Sequence, residues 1–189
     1  MKIIGITGKS GSGKTTFASL LAQKLHCNYI DIDKIGHQAS YQPEILDVLC
    51  KKFGNEILDE KGKLDRKKLG VIVFSEKSKM DELTEVTWGY MQQQIDTIIS
   101  PDNDIIILDW ILLPKSKYWD MCDLKILVTA NDKKRKNKVL ERDNITEEYF
   151  EKRDSASVDY SALKFDYVFE NDYSKESIEK IINLVKFER

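Results

Sequence analysis

The sequence predicts an α/β fold in which a doubly wound parallel sheet is covered on both faces by helices. Three observations carry that expectation. Short apolar runs alternate with segments of helical period almost throughout the 189 residues, the pattern of parallel strands joined by crossover helices. A glycine-rich stretch, "GITGKSGSGKTTF" at residues 5–17, stands where the first run hands over to the first helix. Two later apolar runs end in aspartates, at "DIDKIGH" and "IIILDW", and the carboxyl ends of such strands are where open α/β sheets gather ligands.

Taken in order, residues 2–6 form an apolar run ending against glycine and read as a buried strand. Residues 15–25 put Phe17, Leu21 and Leu25 on one helical stripe. A second strand over 28–32 stops at Asp33, and strand alternation places Asp31 and Asp33 on one side of it. Residues 43–53 bring Leu46, Leu49, Cys50 and Phe53 to helical spacing, and "DEKG" at 59–62 is turn chemistry. Helices are expected over 66–74 and 80–99, the longer one lining up Leu83, Val86, Tyr90 and Ile98. "SPDND" at 100–104 breaks the chain, "IIIL" at 105–108 is the clearest buried strand, and Asp109 terminates it. A strand at 124–128, helices at 133–142 and 146–157, a short strand at 167–169 and a closing helix at 175–187 complete the pattern. The length suits one domain over 1–189 with one main core. The helical stretch before the third strand exceeds what a crossover needs, so residues of about 40–99 are expected to form a lobe over the sheet.

Composition narrows the partners. With 41% hydrophobic and 33% charged residues, a net charge of -2 and a pI of about 5.8, the chain has no global positive field, and nucleic acid is not an expected partner. Cys27, Cys50 and Cys122 are scattered and odd in number and read as buried free thiols. His26 and His37 are the two histidines, so a zinc site is not expected and any metal should be oxygen-bound. The opening "KIIGITG" lacks the features of a signal peptide. The apolar stretch 105–113 contains Asp109 and falls far short of the roughly 20 residues of a membrane helix. A cytoplasmic chain with no membrane partner is expected; the oligomeric state is left open.

Gly8, Gly13, Lys14 and Thr15 fit G-x-x-x-x-G-K-[ST], with a strand before and a helix after. Within and beside that frame, Gly11, Ser12 and Thr16 join the candidate nucleotide contacts. The glycines let successive N–H groups turn inward onto phosphate oxygens at the positive end of the following helix. Lys14 would bridge the β and γ phosphates of ATP, and the Thr15 hydroxyl would ligate Mg²⁺. Asp33 and Asp109, at strand ends, would face this loop, where a carboxylate can orient an acceptor hydroxyl and take its proton, or support the metal. The alternative is that they cap helices or open loops. "NDKKRKNKVLERD" at 131–143 is a basic helix suited to a lid over transferring phosphate. Lys138 and Arg142, one turn apart, can reach one phosphate chain, whereas Lys133, Lys134, Arg135 and Lys136 read as a solvated face. The guanine-reading N-K-x-D pattern is absent from its expected place, where the chain has "TANDKK".

Together, "GKSGSGKTT", "DIDKIGH", "FGNEILDEKGKLDRKKLGVIVF" and "ERDNITEE" resemble the dephospho-CoA kinase family, with the stretch at 53–74 the most telling. The resemblance implies a P-loop kinase-like, three-layer fold with a helical substrate lobe and a helical lid over about 132–157. It also implies transfer of phosphate from ATP, with Mg²⁺, to the ribose 3′-hydroxyl of dephospho-coenzyme A. Asp33 would activate that hydroxyl, Lys14 and Thr15 would hold ATP and Mg²⁺, His37, Arg66 and Asp109 would stand on the substrate side, and Arg142 would be the lid arginine. The chain departs from the family pattern at Trp88 and Gly89, where His-Pro is usual, and at Ile111 and Lys115, where proline and glutamate are usual; Lys138 stands for an arginine. A nucleoside or another small metabolite as acceptor, or a catalytically weak nucleotide-binding relative, are the alternatives that these departures leave open.

Overall fold

The structure is a computed structural model and describes residues 1–99, 104–155 and 157–184. Five strands, β1 (Lys2–Thr7), β2 (Asn28–Asp31), β3 (Ile105–Asp109), β4 (Leu124–Ala130) and β5 (Tyr167–Asn171), form one parallel sheet in the order β2-β3-β1-β4-β5. The first strand in the chain is thus the middle one, and Ile3, Ile4 and Ile6 are buried there because both sheet faces are covered. The register sets Ile6 and Asp31 both opposite Asp109. Three strands therefore end level with one another, just where the glycine-rich loop begins.

The helices are α1 (Lys14–Leu25), α2 (Ile32–Ala39), α3 (Pro43–Phe53), α4 (Arg66–Val73), α5 (Lys77–Ile98), α6 (Asp132–Asp143), α7 (Glu147–Ser155) and α8 (Lys175–Leu184). On one face of the sheet Phe17, Leu21 and Ala22 of α1 and Ile178 and Ile182 of α8 pack with Ile4, Ile6, Ile107, Ile126 and Val128. On the other, Ile32 and Ile35 of α2 and Met91 and Ile95 of α5 close over Ile3, Ile30, Ile106 and Leu108. A third cluster of Leu49, Phe53, Ile57, Leu64, Leu69 and Val73 is built among α3, α4 and the turn between them. It gives the helical segment a core of its own beside that of the sheet.

The structure corrects the sequence reading in three places. The second strand ends at Asp31 rather than running to Ile32, and Asp33 lies in the first turn of α2, a helix that was not anticipated. Asp31 caps it by accepting the Lys34 N–H at 3.0 Å, and Ile32, Ile35 and Ala39 are its buried side. In α5 the most deeply buried positions are Thr87, Met91 and Ile95, while Ile98 is exposed. The expected apolar stripe was one position out of phase. Among the cysteines, all free, Cys122 is buried but Cys27 and Cys50 are half-buried. Most of the "SPDND" break and the last residues of the closing helix as expected from sequence lie outside the described residues.

Candidate functional site

The loop between β1 and α1 is held from outside by other strand ends. Gly11 and Gly13 have φ of 81° and 88°, a region that favours glycine. A Cβ on Gly13 would run into the Asn171 amide, and one on Gly11 into Val139 and Arg135 of α6. The Asn171 side chain donates to the Ser12 carbonyl at 2.9 Å, and the Tyr173 hydroxyl to the Gly11 carbonyl at 2.8 Å. Satisfying these carbonyls outside frees the loop's N–H groups to face inward. Tyr173 is held at φ 70°, a conformation uncommon for a bulky side chain, with its N–H bound to the Asn171 side-chain carbonyl at 2.8 Å.

At the start of α1 the Thr15 hydroxyl donates to Asp109 Oδ2 at 2.7 Å, and the Tyr29 hydroxyl donates to the same oxygen at 3.1 Å. Asp109 is buried at the end of β3, and its other oxygen, Oδ1, has no partner. Burial drives its pKa up to about 6, against the opposing pull of Lys14 and the Thr15 bond. A buried, half-satisfied carboxylate bonded to the loop threonine is an all-oxygen donor set, the kind Mg²⁺ takes with few protein ligands. Among the described residues there is no cluster of three His, Cys, Asp or Glu side chains for a self-sufficient metal centre. Thr15 and Asp109 therefore fit an ion that brings its other ligands with a phosphate.

Lys14 is mostly buried and its ammonium lies 3.6 Å from Asp33 Oδ2. Moving Asp33 from strand end to helix start thus still brings it to the loop. Burial raises the Asp33 pKa, with Asp31 reinforcing and Lys14 opposing. His37, one turn along α2, is pushed down to about 4 by desolvation and then by the charges of Arg66 and Arg153, with Asp31 opposing. Arg66 feels Arg153, Asp33, Tyr41 and Tyr149. Two guanidinium groups, a neutral imidazole and the Asp33 carboxylate thus lie within electrostatic reach of one another beside Lys14, a setting for an anionic or hydroxyl-bearing substrate.

The basic helix behaves differently from its sequence reading. Arg135, assigned to the solvated face, is 3% exposed. It donates to the Ser10 carbonyl at 3.1 Å and to both Asp154 oxygens at 2.6 and 2.9 Å. Arg142 instead pairs with neighbouring Asp143 and is largely exposed. The Lys138 ammonium stands 4.6 Å over the Tyr173 ring, at the edge of the loop. Arg153 of α7, not singled out from the sequence, donates to the Ser10 hydroxyl at 2.6 Å and to Asp143 at 2.7 Å. A further residue missed was Tyr160, whose hydroxyl donates to the Ile111 carbonyl at 3.0 Å and meets Thr7 Oγ1 at 3.1 Å. No local pattern marks either residue, because each acts from a segment remote in the chain.

The departures from the family pattern cluster in part. Trp88 stacks on Trp110, ring centres 5.8 Å apart and 11° from parallel, so the tryptophan on the long helix meets the one beside Asp109. Gly89 faces open space. Ile111 contributes its carbonyl to Tyr160, and Lys115 is exposed at the end of the short turn Leu113–Lys115.

The model of the dephospho-CoA kinase family matches residues 2–182 of this chain. The dephospho-CoA kinase of Fusobacterium nucleatum is 34% identical over 181 residues, 94% of this chain and 93% of that protein. That of Aquifex aeolicus is 32% identical over 190 residues, 98% of this chain and 96% of that protein. Among solved structures, TT1252 from Thermus thermophilus superposes with a TM-score of 0.77 at 25% identity, covering 97% of this chain and 95% of that one. No helix among the described residues is long and apolar enough to cross a membrane.

Proposed function

The chain belongs to the dephospho-CoA kinase family, and from that membership we propose that it transfers the γ-phosphoryl group of ATP, with Mg²⁺, to the ribose 3′-hydroxyl of dephospho-coenzyme A. The observation that carries this reading is the 3.6 Å approach of Asp33 to Lys14, which sets a proton acceptor beside the lysine of the phosphate loop. We assign Gly8, Gly11, Ser12, Gly13, Lys14, Thr15 and Thr16 to the donor phosphates. The segment of about 40–99 serves as the acceptor lobe and that of about 132–157 as the lid.

Asp33 accepts the proton of the attacking hydroxyl as the new O–P bond forms, and the bond to the departing ADP breaks. Lys14 offsets the negative charge on the transferring oxygens. Arg66 and His37 orient the acceptor from the lobe side, and Arg153 and Lys138 supply positive charge from the lid. Thr15 and Asp109 would hold Mg²⁺, whose chemistry is to neutralise phosphate charge. Both Arg142 and Arg153 bond to Asp143, but Arg153 also reaches the loop at Ser10, so Arg153 is the better lid arginine in this arrangement. Mixing the purified protein with Mg-ATP and dephospho-coenzyme A should yield coenzyme A. No product at high enzyme concentration overturns the assignment.

A further inference from the structure

A cleft of about 590 Å³ opens beside the site and is used by none of the steps above. Phe74, Pro114 and Leu163 line it together with Lys115, Lys152 and Ser75, a mixture of apolar and polar surface typical of small-molecule sites. The glutamate Glu76 and the aspartate Asp159 stand in the same wall; Lys152 is paired with Glu148 and Glu76 with Lys79, which leaves Lys115 and Asp159 to balance one another. Such a wall suits a neutral chain rich in amides better than a diphosphate, which calls for net positive charge.

The cleft is joined to the Asp33 region along one helix. Arg66, Gly70 and Phe74 recur every fourth residue on α4 and at its end, so they share a face and span about 12 Å. Arg66 lies within electrostatic reach of Asp33 and Arg153, and Phe74 lines the cleft. Between them Tyr149 of the lid sits on Gly70, where a Cβ would strike its hydroxyl, and meets Phe74 edge-on at 5.9 Å. Lys115 makes no ion pair among the described residues and is free to donate to a carbonyl.

Resting on the acceptor proposed above, we infer that this cleft receives the uncharged, amide-containing arm that extends beyond the diphosphate of dephospho-coenzyme A, with Tyr149 and Phe74 guiding it past α4. Leu163→Trp, which narrows the cleft, should raise KM for dephospho-coenzyme A about tenfold while kcat and KM for ATP stay within twofold. An unchanged acceptor KM, or an equal loss of ATP affinity, overturns the inference. Independently, the Ser75→Cys thiolate should attack dephospho-coenzyme A disulfide, forming one mixed disulfide and releasing one thiol, faster than it attacks glutathione disulfide at equal concentration. Equal rates overturn the inference. If the unsubstituted protein makes no coenzyme A, the acceptor assignment fails and this subsite with it. Failure in the variants alone removes only the subsite.

Discussion

At the scale of single residues, two carboxylates divide the work by position. Asp33 lies beside Lys14 and Asp109 beneath Thr15, and each invites a separate test. Asp33→Asn keeps the shape and removes the proposed base, so kcat should fall about 10²- to 10⁴-fold with little change in ATP affinity, read by steady-state kinetics and nucleotide titration. Asp109 is legible through pH. Its pKa stands near 6 in the folded protein, above the ordinary value of 3.8. The folded state therefore holds a proton that the unfolded chain releases, and the stability this contributes is present below about pH 4 and lost as pH rises through about 6. In ligand-free protein at pH 8 the ionised group costs on the order of 2 to 3 kcal/mol. The Tm of Asp109→Asn relative to the unsubstituted protein should be higher at pH 8 than at pH 5. Saturating Mg²⁺ with nucleotide should narrow the pH 8 difference by stabilising the ionised carboxylate. The phosphate loop was legible because its spacing is local, and Asp33 and Asp109 were picked out because each follows an apolar run, a position that the fold brings to Lys14 and Thr15. Arg135 and Arg153 were not, because a run of lysines and arginines does not say which one turns inward.

At the scale of elements, α6 and α7 are fastened to the phosphate loop by buried charge rather than by apolar packing alone. Arg135 reaches Ser10 and Asp154 from a nearly inaccessible position, whereas Lys136 joins Glu147 and Glu151 near the surface. Arg135→Ala leaves Asp154 only its longer 3.7 Å pair with Lys9 and should cost about 3 kcal/mol, while Lys136→Ala should cost less than about 1 kcal/mol; urea unfolding of the two variants separates them. The same contrast explains what sequence pattern gave and withheld. Strands β1, β3 and β4 are dense apolar runs and were found. Helix α2 was missed because "NYIDID" carries apolar residues straight across the strand–helix junction, with only Asp31 as a cap signal. The phase of α5 slipped because Thr87, a buried polar residue that bonds back to the Leu83 carbonyl at 2.9 Å, is invisible to a count of apolar positions.

At the scale of the whole molecule, separate cores allow stability and specificity to be changed apart from one another. Leu49 is fully buried in the lobe cluster, away from the sheet. Leu49→Ala should cost about 3 kcal/mol and weaken binding of dephospho-coenzyme A, with nucleotide affinity in the folded protein unchanged; calorimetric titration with each substrate tests this. Ile107→Ala, in the sheet core, should cost a similar amount and weaken nucleotide binding as well, because β3 carries Asp109.

The central place of β1 also has a consequence for how the protein is made. Its partners are Ile105 onward and Leu124 onward, so this strand is made about a hundred residues before either of them. At about 5–20 residues per second, that interval is roughly ten seconds, during which "KIIGIT" is an apolar strand without neighbours. The phosphate loop cannot take shape before then, and nascent chains halted before residue 124 should bind neither nucleotide nor antibody against the folded sheet. The earliest-made part of the active site is thus among the last to become one, and a chaperone that shields the emerging β1 segment has its natural client here.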